Sequence, residues 1–358
     1  MSAATEDGSG TTPSSSSGLS LAPFRGLRPS VEVDRIAKLL CPPYDVIDAG
    51  LREQLLAIDP DNAVAVVLPE RTEIGYATAA TQLSAWVEQG VFTPDVDEAL
   101  YVYEMCDADG AITRGLLGAV ELRDPADGVI LPHENTMAGP VADRLAVMTA
   151  TNTDLEPIYL VYDGGGATSR LVGDVDVRSP DVVATTDDGI THRLWMITDP
   201  SAHQSVADDL ADRHALIADG HHRYATYRER QRLRREHDGV GPWDRGLALL
   251  VDTSEYGPAV HPIHRAIVGV RLVDAVARLR EWGEITQASD PETALDSIVG
   301  LTGFAAVLTD GVQTLIITDA AGRLATASER TDSLPALTEL DVTVLHRGLV
   351  ETALALAD

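Results

Sequence analysis

The string Asp219-Gly220-His221-His222-Arg223 concentrates more chemically able side chains than any other stretch of the chain. An apolar run, "ALIAD", leads into it and a helical pattern leaves it, so it is expected at a strand-to-helix turn. Such a turn presents backbone N–H groups at the positive end of a helix, a ready site for an anion. Gly220 lets the backbone approach a phosphate closely. His221 and His222 add donors, and Arg223 offers a two-pronged grip on phosphate oxygens. Asp219 falls at the strand's C-terminal end, where ligands of α/β proteins gather. The plainer alternative makes Asp219 a helix cap, one histidine a core residue and Arg223 an ion-pair partner. Further along, Arg228, Arg230, Arg232, Arg234 and Arg235 interleave with Glu229 and Glu236 and read as a solvated face.

Three other segments carry comparable residues. In "LPHENTMAGPVADRLAVM", His133, Glu134 and Asn135 sit on a Gly/Pro-bounded loop, free to face a ligand. Glu134 could serve as a general base or bind a metal or an ammonium group. Asp143 and Arg144 follow in the first turn of the next helix. In "CPPYDVI", a rigid Pro-Pro lead holds Tyr44 and Asp45. In "HPIHRAIV", read as a strand, His261 and His264 face opposite sides and cannot share one zinc ion, while His264 and Arg265 can each give a donor to an anion. At least two of Asp45, Glu134 and His264 are expected within about 10 Å of His221 or His222, the span of a nucleotide-sized pocket. The sequence has no P-loop, GxGxxG, GxSxG, HExxH or CxxC, so the usual NTPase, dinucleotide, serine-hydrolase and zinc signatures are missing.

The elements that must position these residues alternate along the chain. Helices are expected at 31–40, 50–58, 76–90, from Pro140 through "VADRLAVMTAT", at 201–214, from Gly220 to about 236, at 272–282 and 292–299, and finally at 343–356. In the helix at 76–90, Ala80, Leu83 and Val87 should form the buried stripe. Strands are expected in "NAVAVVLPE", "ALYVYEMCD", "AITRGLLGAVELRD", "EPIYLVYD", "HRLWMITD", "ALIAD", "RGLALLVDTS" and "AVHPIHRAIVG", and at 304–308 and 313–318. "GGGATSR" reads as an interior loop. The mixture predicts an α/β or α+β fold.

The chain's 358 residues carry 27 basic and 56 acidic side chains, a net charge of −29, which argues against a nucleic-acid or anionic-membrane partner. Aromatics are only 4% of the residues, too few for a base-stacking platform. Two cysteines, Cys41 and Cys106, suit a reducing cytoplasm. No apolar run is long enough to span a bilayer and no secretory signal is visible. Ser, Gly and Thr fill 13 of the first twenty residues, a flexible tail, and order is expected from Leu21.

Taken in order, "PFRGLRP", "PPYDVI", "LPHENTMAGPVADRLAVMTATNTDLEPIYLVYD", "LWMITD", "IADGHHRYATY" and "HPIHRAIVG" resemble the family called domain of unknown function 1015. The resemblance covers residues 23 to about 270, a family core at 21–270 followed by a C-terminal α/β portion at 271–358. Relative to that family the chain is expected to be shortened at its end. The Asp-Gly-His-His-Arg turn further resembles that of free-serine kinases in the ParB/sulfiredoxin-like superfamily. This resemblance implies a ParB/sulfiredoxin-like nucleotide-binding core with added strands and helices. It implies that Gly220, His221, His222 and Arg223 hold nucleotide phosphates. It also implies that Asp219 and an upstream carboxylate, Asp45 or Glu134, handle Mg²⁺ and the substrate hydroxyl. Tyr44, His133, Asn135, Asp143 and Arg144 are assigned to the small-molecule substrate. The expected function is a cytoplasmic phosphotransferase that moves a phosphoryl group from ATP or ADP to a small hydroxyl compound, free L-serine first, with homo-oligomerisation left open. The competing readings are a non-catalytic, ParB-like nucleotide switch and a metal-dependent hydrolase.

Overall fold

The computed structural model describes residues 18–134, 136–257, 265–329 and 340–356. The chain divides into two units, Met1–Ala259 and Val260–Asp358. The first contains β1 (Leu21–Ala22), β2 (Leu27–Pro29), α1 (Val33–Leu39), α2 (Ala49–Ile58), α3 (Val64–Val67), α4 (Glu73–Glu88), β3 (Phe92–Pro94), β4 (Leu100–Cys106), β5 (Ile112–Glu121), β6 (Ile130–Leu131) and α5 (Ala138–Thr151). It continues with β7 (Ile158–Tyr162), α6 (Ala167–Gly173), β8 (Val182–Thr185), β9 (Thr191–Ile197), α7 (Pro200–Leu210), β10 (Ala215–Asp219), α8 (His221–Asp238) and β11 (Arg245–Asp252).

Nine of these strands form one mixed sheet in the order β6-β10-β7-β11-β5-β4-β9-β8, with β1 added antiparallel to β5. The β6–β10 and β7–β11 pairs are parallel and the other pairs are antiparallel. Alternate residues of the central strands, among them Leu100, Val102, Leu116, Ile158, Leu160, Ala248 and Leu250, share one core with Val206 and Leu210 of α7 and Tyr224 and Tyr227 of α8. The β10–β7 register slips by one residue between Ile217 and Asp219. Ile217 faces the core opposite Leu160, but after the slip Asp219 pairs with Tyr159 and turns outward.

The second unit contains α9 (Leu272–Leu279), β12 (Glu284–Ala288), α10 (Pro291–Ile298), β13 (Ala305–Thr309), β14 (Thr314–Thr318), α11 (Arg323–Ser328) and α12 (Val344–Ala353), the last wound as a wide π-helix. Its strands pair in the order β12-β14-β13, and Leu279, Phe304, Ile317, Leu324 and Leu349 fill its core.

The fold corrects several expectations. "NAVAVVLPE" is not a strand: Val64–Val67 forms a helical turn, because Asn62 donates to the Lys38 and Leu40 carbonyls and accepts from the Val64 N–H. These contacts override the β preference of the valines. On α4 the fully buried side is Gly75, Ala79 and Trp86, whereas Val87 is exposed. Trp86 has more apolar surface to bury than Val87, and its Nε1–H finds Asp61 Oδ1 at 2.7 Å. Helix α6 begins inside the supposed "GGGATSR" loop. Order starts before Leu21: Leu19 is buried and its N–H donates to the Arg213 carbonyl at 2.9 Å, while residues 1–17 lie outside the described set. Most of "AVHPIHRAIVG", His261 and His264 included, also lies outside it, and the described remainder from Arg265 is not strand. Strand β12 and helix α11 were not expected. Among the described residues no helix is long and apolar enough to cross a membrane.

Candidate functional site

Strands β6 and β10 run side by side in parallel, Ile130 beside Ala215 and Leu131 beside Leu216. Each feeds a helix, α5 and α8 respectively, and the two helices pack together. Both N-terminal ends therefore open at the same end of the sheet. Neither has a side-chain cap: Met137 precedes α5, and Gly220 precedes α8 with φ +92°, a left-handed conformation that glycine adopts without strain. A Cβ at position 220 would also meet Arg223 Nε at 3.1 Å and Ile158 Cα at 3.3 Å. Unsatisfied N–H groups and two helix dipoles thus converge on one spot.

The paired histidines hold this spot together in a way not anticipated. His221 Nε2 accepts from the His133 backbone N–H at 3.3 Å, and His222 Nε2 accepts from the Met137 N–H at 3.1 Å. Both rings are acceptors at Nε2, so each carries its proton on Nδ1. They fasten the backbone at His133 and at Met137 to the start of α8. The rings of His133 and His221 meet edge to face, with centroids 4.4 Å apart. Nδ1 of His221 lies 3.7 Å from the Glu134 carboxylate. Burial above all, with help from His133, holds the His221 pKa down at about 4, so the ring is neutral near pH 7. Nδ1 of His133 is buried with no hydrogen-bond partner among the described residues.

His221 takes up a proton more readily when unfolded, near pH 6.5, than when folded. Its burial therefore stabilises the fold fully above pH 6.5, and that contribution drains away between pH 6.5 and 4. Urea unfolding of the native chain and a His221→Gln variant should differ in slope over this window, the native chain losing about 2–3 kcal/mol more on acidification. Parallel pH dependences would contradict the buried neutral ring.

Arg223 is not a free phosphate grip. It is buried, and its guanidinium donates to the Pro157 carbonyl and to the Asp219 carboxylate. Asp219 keeps 55% of its side chain exposed and Glu134 keeps 57%, so both carboxylates face outward beside the helix ends. Asp143 and Arg144 sit in the second turn of α5, not the first, and are buried. Asp143 accepts from the Tyr76 hydroxyl at 2.8 Å and from Arg144, which reaches on to the Val67 carbonyl at 2.6 Å. Arg144 stacks over the Tyr44 ring at 4.3 Å. Asp45 is exposed on the short 3-10 turn Tyr44–Val46. Of the three residues expected near the turn, Glu134 is there and His264 lies outside the described residues, as does the substrate candidate Asn135. Arg265 is an exposed residue of the second unit. On α8, Arg232 and Arg234 do form a solvated face, whereas Arg230 is tucked against Tyr227 and paired with Asp154.

Glu156 was missed altogether. It lies just before β7, accepts the Tyr44 N–H at 3.0 Å and stands 3.8 Å from Arg144. Burial pushes its carboxyl above the usual range, although Arg223 and Arg144 pull the other way. Nothing in its local sequence marks it, because its importance comes from three distant segments meeting around it. Among the described residues no group of three His, Cys, Asp or Glu is placed to hold a metal ion.

A mixed α/β sheet whose parallel edge opens two helix ends onto flanking carboxylates is thus the class of protein in hand. The chain matches the family described as "Protein of unknown function (DUF1015)" over residues 21–343, a span that takes in residues of both units, and it belongs to that family. No curated protein and no solved structure matches it.

Proposed function

We propose that the chain is a phosphotransferase that moves a phosphoryl group from ATP or ADP to a small hydroxyl compound, L-serine being the acceptor to try first, on a ParB/sulfiredoxin-like nucleotide-binding core. The observation that carries this reading is the pair of uncapped helix ends beside Glu134 and Asp219. Phosphoryl transfer needs mainly positioning and neutralisation of phosphate charge. Backbone N–H groups of α5 and α8 would meet the phosphates, in a chain whose net charge of −29 otherwise repels them. Mg²⁺ commonly takes only one or two carboxylates beside phosphate oxygens and water, and Glu134 and Asp219 supply that number. The bound ion would neutralise charge on the transferring group. Arg223 serves by holding Asp219 at the mouth of the site.

Thermal unfolding with ATP, ADP or CTP, with and without Mg²⁺, tests the binding half. Saturation at a hundredfold excess over Kd should stabilise the fold by about 2.7 kcal/mol, and more with Mg²⁺ than without. Phosphorus NMR with L-serine present tests the transfer. Absence of any nucleotide-dependent stabilisation would sink the proposal. Stabilisation without transfer to any hydroxyl acceptor would favour the nucleotide-switch alternative.

A further inference from the structure

We propose that His221 and His222 are positioning residues for Mg²⁺: by accepting the backbone N–H groups of His133 and Met137 they fix the Glu134 carboxylate at the helix ends, and so set how tightly the site takes the ion with a nucleotide. The assignment rests on the phosphotransferase reading above. It gives the two rings a different task from the phosphate contacts that the motif suggests.

Glu134 has little else to place it. It lies between β6 and α5, in neither element. Its carboxylate makes no hydrogen bond among the described residues, and its polar neighbour there is His221 Nδ1 at 3.7 Å. Between Leu131 and Ala138, the backbone N–H groups that bond to a described residue are those of His133 and Met137, one residue before Glu134 and three after it. Both bonds end on the histidine pair. A single bond would let the segment swing about one point, whereas two points fix what lies between them. Neighbouring residues of a helix point about 100° apart, which lets adjacent rings reach two separate places. The platform beneath them is firm: Arg223 ties to the Pro157 carbonyl, and Tyr224 and Tyr227 sit in the core.

The residue type follows from charge. An aspartate or glutamate would accept the same N–H groups more strongly. It would also put further negative charge beside Glu134 and Asp219, whose charges already bear on the His221 ring. An imidazole with its proton on Nδ1 accepts at Nε2 and adds no charge. The negative charge of the mouth is thereby confined to the two groups that would face the ion.

A Mg²⁺ titration of thermal unfolding at fixed ADP, in the full chain, reads the effect. His222→Ala removes the acceptor for the Met137 N–H. The Mg²⁺ concentration giving half of the added stabilisation should rise about 10-fold or more, while the stabilisation by ADP in EDTA stays at the native level. His222→Gln, whose Oε1 stands close to where Nε2 was, should restore the native midpoint. If His222→Ala does not fold, His222→Asn decides, since its oxygen stops near the place of Nδ1, short of the Met137 N–H, and the same rise is expected. His221→Asn, which frees the His133 N–H, should act in the same direction. A native Mg²⁺ midpoint in folded His222→Ala or His222→Asn, an equal loss of stabilisation with and without Mg²⁺, or a Gln variant no better than Ala overturns the assignment and leaves the phosphotransferase reading standing. A native chain that no nucleotide stabilises overturns both.

Discussion

Arg144→Ala should lower the unfolding free energy of the first unit by about 3–5 kcal/mol, the cost of removing one partner from a buried ion pair. Asp143, only 7% exposed, would keep its charge with just the Tyr76 hydroxyl and the more distant, exposed Arg71 beside it. The Val67 carbonyl would lose its 2.6 Å donor, and the Tyr44 ring its stacked cation. The residual contacts to Asp143 place the loss toward the lower end of that range. Urea unfolding followed by tryptophan fluorescence reads it directly. A loss below 1 kcal/mol would mean that the Asp143–Arg144 pair contributes little.

Arg223→Ala should cost less stability and more function. Its partner Asp219 is more than half exposed, so water can solvate the abandoned carboxylate. The remaining penalty is the charged hydrogen bond to the Pro157 carbonyl, about 1.5–3 kcal/mol. Asp219 would lose the group that aims it, and the stabilisation conferred by Mg²⁺ and ATP should fall with it. Arg232→Ala, on the same helix, is the control. Its guanidinium is exposed and pairs only with Glu229 and Glu236, so neither melting temperature nor nucleotide response should change measurably. Equal effects of the two substitutions would point to diffuse electrostatics instead of a site.

The strand-to-helix turn at Gly220 was legible because apolar alternation, a glycine and a long polar-faced helix follow one another within a few residues. Local pattern could not reveal where the side chains of that turn go. Arg223 looks the same in the sequence whether it grips a ligand or a carbonyl 66 residues away, and the latter contact exists only once β7 lies beside β10. The histidine pair shows the same limit: its partners are backbone N–H groups of a loop more than 80 residues upstream, which no spacing rule encodes. Val64–Val67 failed for the opposite reason, since its β-branched residues state a clear local preference that the Asn62 contacts outweigh. Glu156 had no local signature to read, for its neighbours come from α5, α8 and the turn at Tyr44.

The one-residue slip between Ile217 and Asp219 makes strand length a selector for what the motif presents. With regular pairing, position 219 would fall on the same side as Ile217, among the apolar residues of the core, and a carboxylate there would be driven to protonate or to disrupt the packing. One extra residue after Ala218, with the slip kept, would therefore leave the letters Asp-Gly-His-His-Arg untouched while aiming the acid into the core, whereas loss of Ala218 would remove the slip and keep the acid outward, opposite Tyr159. In a relative, the motif signals an outward carboxylate when the slip and the strand length ahead of it agree in this way. An insertion just ahead of the motif therefore carries more weight for the direction of the acid than a deletion of the slipped residue.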